Sequence, residues 1–588
     1  MKKNLNIFRV FAFYPLLLPI WKEAYFRKDN VSFSVPIHMS DEILLEQKKF
    51  FLSAPDPTIR SRILMSLAEC DNSNFGPVLE EFLLKENNPE VLSDILRIMH
   101  EKALRYSNTK ILLELMKSEL PSSRAYAACI YLDLPDSKTE VFEMLSKENT
   151  RFVSNMVWGK IYEKRTFFSE SDLISLYPKT PKFQLSRLLK TLAAISAIPE
   201  ENAILMQFVD KGSLEDRISI AESIGQRKDC ADAVLAKFAK DPDQRLRMAV
   251  ARSLLSPGRL EFLCQLSQDM DSEVRRLSVI SLAGDGVDND TALLAIIARL
   301  ADEEEVVRSQ SENALVSVGI GDKYLNLIWK EYLSKPASEA SAIKVLGELK
   351  FVAAAEDIRR IMKARGDVLT VSRSLTALGK MNHKVSVKDC AYFADSKFPE
   401  IRRATAFSLG CLAERDGFDG LAKLAMDKAP EVSAEALSGI WKIGDDFFSG
   451  TVIACLKRTG DSYLIRSAAA SAASAMPASK DFVKALRRIC VEKTIIVDNG
   501  KEFDVDQVRA SAVWSLAEIA RKDSGFQKDA RDVIAVLRSN SSKEEDQKVS
   551  SSEFLSESAR QAEAFLDGKD CQASEISPAR PNLVINSI

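Results

Sequence analysis

From Asp41 to Leu537 apolar residues recur three and four positions apart, the spacing that gathers them on one face of an α-helix. The helices this predicts are short, and they come with a period. The segment from Asp241 through Arg247 to Leu254 is echoed from Asp269 through Arg275 to Leu282, and again from Asp302 through Arg308 to Leu315. In each, the Asp leads the Arg by six residues and the Leu follows it by seven. With that Arg as anchor, the register continues through Arg60, Leu92, Arg124, Arg151, Ser186, Arg217, Arg247, Arg275, Arg308, Glu339, Val371, Arg402, Ser433, Arg466 and Arg509. These fifteen positions, ten of them Arg, lie about 32 residues apart, room for two short helices and two turns. Leu92, Arg151, Ser186 and Val371 are placed by their apolar flanks alone.

Small or apolar residues stand three and seven positions after the anchor, as Ala127 and Tyr131 do after Arg124 and Ala512 and Leu516 after Arg509. That places them on one face of the second helix of each pair. The apolar run before the Asp makes the first helix, for example Leu293 to Ile297 ahead of Asp302, or Phe418 to Met426 ahead of Asp427. Gly319, Gly379, Gly410 and Gly444 follow second helices, where a left-handed C-cap is wanted.

With its Asp-to-Arg spacing, its downstream Ala and Leu and its period, the chain resembles HEAT repeats over roughly residues 41–537, in particular the short HEAT-like repeats of the phycobilisome-lyase type. The resemblance implies an all-α fold, a right-handed α-α superhelix (α-solenoid) of about 15 helix pairs. It also implies a ladder in which the Arg of one repeat reaches an Asp of its neighbour. Carried over, Asp241, Asp269, Asp302 and Asp427 are acceptors and Arg247, Arg275 and Arg308 donors. Asp427 shares its own unit with Ser433, which puts that rung in question, and Asp56, Asp461 and Asp504 stand closer than six residues to their Arg. Such a ladder is structural, since Asp can cap a helix while a charge-assisted bond sets the angle between repeats.

The register breaks in two places. Between Arg466 and Arg509 the excess sequence holds Asp498-Asn499-Gly500 between β-prone runs, a hairpin signal, and an insert at 491–506 is expected. From Arg151 to Leu189, Trp158, Tyr162, Phe167, Phe168, Tyr177 and Phe183 gather around Pro178 and Pro181, either as a ligand groove or as core where curvature changes. Residues 538–567 are expected to form a polar linker and a capping helix, and 568–588 a flexible tail. Residues 1–40 read as an N-terminal extension. Lys2 and Lys3 precede an apolar run, Val10 to Trp21, of signal-peptide length, but Pro15 and Pro19 interrupt it and no small-x-small site follows. A start at Met39 is the alternative, because Ser40 and Asp41 open the helical pattern.

Composition narrows the chemistry. Lys and Arg total 81 against 84 Asp and Glu, a net charge of −3, which lacks the positive field that non-specific nucleic-acid binding needs. The densest basic cluster, Arg359, Arg360, Lys363 and Arg365, adjoins Glu356 and Asp357. The nine cysteines, Cys70, Cys129, Cys230, Cys264, Cys390, Cys411, Cys455, Cys490 and Cys571, are scattered without a C-x-x-C and read as thiols of a reducing compartment. His38, His100 and His383 fall in different repeats as surface or cap residues, and no phosphate loop, H-E-x-x-H or G-x-S-x-G stands in its required context. These features lead to a non-enzymatic scaffold with no cofactor or metal and no catalytic residue, binding protein partners through its concave surface, monomeric and cytoplasmic. Nucleic acid is disfavoured, and membrane contact is expected only through residues 1–21. The alternatives are a HEAT-like enzyme, of bilin-lyase or DNA-glycosylase type, and an exported or membrane-tethered scaffold.

Overall fold

The computed structural model describes residues 37–38, 41–539 apart from short stretches (69, 72–73, 105, 107, 136, 228–231, 254–259, 286–288, 459–462, 492–494, 499–500 and 505), and 553–568. The signal-like run, Met39, Leu254, Asp461, Asn499, Cys230, Cys571 and the tail beyond Gly568 lie outside the described residues.

The chain divides into two compact units, Met1–Ala295 and Ile296–Ile588. In each, short antiparallel helix pairs stack side by side. The second helices of the first unit are Pro57–Ala68, Pro89–Glu101, Pro121–Tyr131, Arg151–Glu163, Leu185–Ile195, Leu214–Gly225, Gln244–Ser253 and Ser272–Asp285. Those of the second are Glu305–Val318, Glu339–Glu348, Val368–Lys380, Pro399–Leu412, Pro430–Ile443, Tyr463–Ala475, Asp506–Lys522 and Glu553–Leu566. The last of these packs on Asp506–Lys522 as the others pack on their neighbours, with Gln527–Ser539 as its first helix. The fold is an all-α solenoid.

Local chemistry sets the helix starts. Pro89, Pro121, Pro399 and Pro430 occupy the first helical position, where a missing N–H costs nothing. Asn88 caps the amides of Glu90 and Val91, and Ser213 with Asp216 forms a capping box.

Within each unit consecutive second helices pack directly on one another, while first helices lie further apart, so each stack bends with its second helices inside. One repeated contact makes this possible. A Cβ built at Gly347 would meet Ala377 Cβ at 2.5 Å, one at Gly379 would meet Ser408 Cα at 2.9 Å, and one at Gly410 would meet Gly439 Cα at 2.6 Å. Each glycine stands eight residues after its anchor and faces the next helix's backbone, which corrects the expectation that Gly379 and Gly410 are C-caps. Gly319 and Gly444 do adopt the left-handed C-cap, at φ 71° and 66°. In the pairs ended by Lys350, Asn382 and Ala413, those residues take the left-handed φ instead.

The fourth residue of the helix fixes the anchor, and it moves one expectation. Arg60, Arg124, Arg217, Arg247, Arg275, Arg308, Arg402 and Arg509 all stand fourth in their helices, whereas Arg151 is first in its own and exposed. The fourth position there is Ser154, buried at 1% exposure. Arg151 was displaced because an Arg three residues early offers the same apolar flank one turn away.

Strands Ile495–Asp498 and Lys501–Asp504 pair antiparallel, Ile495 opposite Asp504, between the helices Lys480–Val491 and Asp506–Lys522. Ile37–His38 pairs in parallel with Cys70–Asp71.

Candidate functional site

The anchor arginines come first, because their occupation decides which surface is left for a partner. Arg247 donates from Nη1 to the carbonyls of Asp241 and Pro242 in its own inter-helix turn, at 2.8 and 3.1 Å. From Nε and Nη2 it grips Asp269 of the next pair at 2.8 and 2.9 Å. Asp269 in turn accepts the Asp271 amide at 2.9 Å. One guanidinium therefore closes its own turn and ties down the next, with its donors pointed at fixed acceptors. Arg402 does the same with Asp427 (2.7 and 2.9 Å), Arg60 with Glu86 (2.7 and 2.9 Å), and Arg124 with Glu148 (2.8 and 3.0 Å), while Arg217 pairs with Asp241. The donor for Asp427 is thus Arg402 of the preceding pair, so Ser433 does not weaken that rung. The sequence reading anticipated Asp acceptors; the acceptors Glu86 and Glu148 went unseen because Glu is common on solvated faces.

Burial alone would raise the Glu86 carboxyl, but Arg60 and the amides of Asn88 and Asn87 outweigh it and hold it below the usual carboxylate range. Glu148 and Asp427 are lowered through the same balance, burial opposed by Arg124 and by Arg402.

Three anchors depart from the pattern. Arg509 donates from Nε to the Cys490 carbonyl at 3.0 Å and from Nη1 to Asp506 of its own helix at 3.3 Å. Arg308 keeps the turn-closing bonds to Asp302 and Glu303 carbonyls, at 2.7 and 2.9 Å, but no carboxylate of the next pair reaches it among the described residues. The first helix that follows ends in a π turn, Ile328–Tyr332, and its connection, residues 333–338, carries no acid. At Glu339 the rung is inverted: the anchor is the acid, and Arg365 of the next turn grips it at 3.0 and 2.9 Å.

With the arginines committed to the turns, the inner rows of second helices are the continuous surface. In the first unit their charges nearly cancel around Tyr162, where three lysines face two carboxylates. Asp133 sits between Lys160 and Lys164, Lys190 pairs with Glu222 at 2.8 Å and lies over Tyr162, and the Tyr162 hydroxyl donates to Gln226. In the second unit they do not cancel. Glu312, 1% exposed in its side chain, is shared by Lys344 at 3.1 Å and Arg373 at 2.8 Å. Lys380 pairs with Glu348 at 2.5 Å and Arg403 lies 3.7 Å from Glu435, while Lys350 and Lys442 are in no ion pair among the described residues. Lys380 and Lys442 lie over Phe407, 5.8 and 5.9 Å from its centroid, and Trp441, which precedes Lys442 in its helix, is 40% exposed. Burial raises the Cys411 thiol at this spot, and Lys442, Lys380 and Lys350 bear on it. Burial also raises Glu435, against the pull of Arg403 and Lys442.

The other places singled out in the sequence fare differently. Trp158 is 2% exposed, and its indole N–H donates to Gln184, whose amide bridges to the Leu145 and Glu148 carbonyls. This is core, linked to the Arg124 rung. Phe168 is buried and Phe167 is exposed at 69%. The basic cluster is neutralised: Arg359 and Lys363 share Asp389, Arg360 pairs with Asp357, and Arg365 is the inverted rung. A shallow recess of about 350 Å³ lined by Arg359, Arg360 and Lys363 therefore carries little net positive charge. His100 is half-buried against Tyr126 at 5.7 Å, while His383 stands at the N-cap position of the turn Lys384–Ser386 and bonds Ser386. Cys129, Cys390, Cys455 and Cys490 are buried free thiols. Among the described residues there is no cluster of His, Cys, Asp and Glu that could hold a metal, and no helix is long and apolar enough to cross a membrane.

Helix pairs of this period, tied by guanidinium–carboxylate rungs across their turns, define a HEAT-type α-solenoid. Solved structures of that architecture resemble it. Yeast importin-beta, Kap95p, is 13% identical with a TM-score of 0.51, over 90% of this chain and 73% of its own. A Kap95:Nup1 complex gives 14% and 0.47, over 91% and 74%. Kap121p bound to Ste12p gives 13% and 0.45, over 96% of this chain and 63% of its own. At these identities the likeness is one of fold. No family model and no curated protein matches the chain.

Proposed function

We propose that the chain is a non-catalytic scaffold that holds protein partners against the inner rows of its second helices. The observation that carries this is the division of labour among its charges. The anchor arginines are committed to stacking, which leaves the inner rows as a long surface where, in the second unit, cations and aromatics remain uncommitted. Solenoids expose such surfaces over many repeats, so binding energy can be spread over shape and charge complementarity. The chain acts as a monomer in the cytoplasm on this reading, and its repeats are of the phycobilisome-lyase kind, as the six-residue Asp-to-Arg step at Asp241, Asp269 and Asp302 suggests. The helix Glu553–Leu566, packed on Asp506–Lys522, serves as the C-terminal cap of the repeats. Cross-linking of the tagged chain in its native cell, read by mass spectrometry, is the test. Saturable partners cross-linked to second helices are expected; no saturable partner, or cross-links confined to first helices, refutes the reading.

A further inference from the structure

The inner strip of the second unit differs from that of the first in one respect that points to the partner. Between Lys344 and Lys442 six cationic side chains face three carboxylates, in a chain whose net charge is −3. The excess is concentrated where Lys350 and Lys442 flank the Lys380–Glu348 pair, around the Phe407 ring. Phe407, half-buried with two ammonium groups over its ring, is a cation-stabilised aromatic on this strip.

Resting on the scaffold reading above, we propose that this strip is a docking groove for an extended acidic segment of a partner protein, with an apolar side chain of that segment seated against Phe407. The spacing suits it. Stacked helices lie about 8–10 Å apart and a polyproline-II chain advances about 3.1 Å per residue with about three residues per turn, so a carboxylate at every third residue keeps to one side and meets one cationic rung per helix. A nucleic-acid strand fits less well, because its charge recurs at every nucleotide and would be pressed against Glu348 and Glu435, which alternate with the cations. Around Tyr162 in the first unit the balance is closer, with Lys160, Lys164 and Lys190 facing Asp133 and Glu222.

The test is fluorescence anisotropy on the full chain with three labelled probes: a twelve-residue peptide with Glu at every third position and a central Leu, its Glu-to-Lys counterpart, and a twelve-nucleotide single strand. The acidic peptide is expected to bind saturably and to weaken with salt. Lys442→Glu and Phe407→Ala should each weaken it about tenfold, while Lys457→Glu, on an exposed first-helix end, leaves it unchanged. Circular dichroism of each variant confirms the fold. Absence of saturable acidic-peptide binding, equal binding by both strip variants, or tighter binding of the oligonucleotide or the basic peptide overturns the groove. If a native partner still cross-links to second helices of the Lys442→Glu and Phe407→Ala chains, the groove falls and the scaffold stands; if the unaltered chain has no partner, both fall.

Discussion

Replacing Gly410 by Ala sets two opposed terms against each other. In a helix interior, Ala is favoured over Gly by about 1 kcal/mol through backbone entropy. Against this, the new Cβ would stand 2.6 Å from the Gly439 Cα, and no rotamer can relieve a contact between two backbones. A contact that no rotamer relieves falls in the upper part of the usual overpacking range, about 2–3 kcal/mol, so a net loss of roughly 1–2 kcal/mol is expected. Gly159 is the control, because it lies inside Arg151–Glu163, is exposed, and has nothing within 4 Å of its Cβ position. There the propensity term acts alone and Ala should stabilise by about 0.5–1 kcal/mol. A repeat array need not unfold in one step, so a single melting temperature would blur the comparison. Hydrogen exchange read by mass spectrometry reports each helix separately. Peptides covering 399–443 should lose about tenfold in protection in Gly410→Ala, and those covering 151–163 should gain a few-fold in Gly159→Ala. Unchanged or increased protection at 399–443 would refute the account of how the inner row is packed.

Arg247→Ala should destabilise its pair and the next by about 2–4 kcal/mol, because Asp269 and two turn carbonyls lose their donor at a site less than a tenth exposed, and Arg247→Lys should restore little of it; local hydrogen exchange measures both. Glu339→Arg and Arg365→Glu should each loosen the turn at 365–367, and the double exchange should recover it, read by protection of Val368–Lys380. Glu86, Glu148 and Asp427 titrate lower in the folded chain than in the unfolded one. The stability they contribute is therefore fully present above the ordinary carboxylate range and lost as pH falls below about 4.5. Asp427→Asn should flatten that acid branch in chemical denaturation followed across pH. Trp158→Phe should cost about 1–3 kcal/mol by leaving the Gln184 amide oxygen without its buried donor, measured the same way.

The period and the helix pairs were legible because an amphipathic helix must repeat its apolar positions, and because the anchor stands fourth in most second helices, Ser186 and Glu339 standing nearer the start of theirs. Val371 stands in register without an Arg, which the apolar flanks alone secured, and Glu339 follows from the period. What stayed hidden has physical causes. An Arg one turn early satisfied the same flanks, so Ser154 was missed. A glycine at the end of a helix signals equally a left-handed cap or a close approach, and only the neighbouring helix distinguishes Gly444 from Gly410. The strip around Phe407 was invisible because its members, Lys380, Phe407 and Lys442, come from three pairs and carry no motif. The basic run at Arg359 looked accessible because its main partner, Asp389, is thirty residues away.

The inverted rung between Glu339 and Arg365 makes one joint of the array directional in a way the others are not. Pairs joined by Arg on one side and an acid on the other share a common coupling, and duplication or loss of such a pair leaves like couplings facing like. The pair Ala355–Ala364 with Val368–Lys380 carries the opposite plug. Moved behind Arg402, it would set Arg365 against another guanidinium. The chain can therefore be lengthened or shortened by recombination at its ordinary joints, while this one fixes the order of the modules on either side of it.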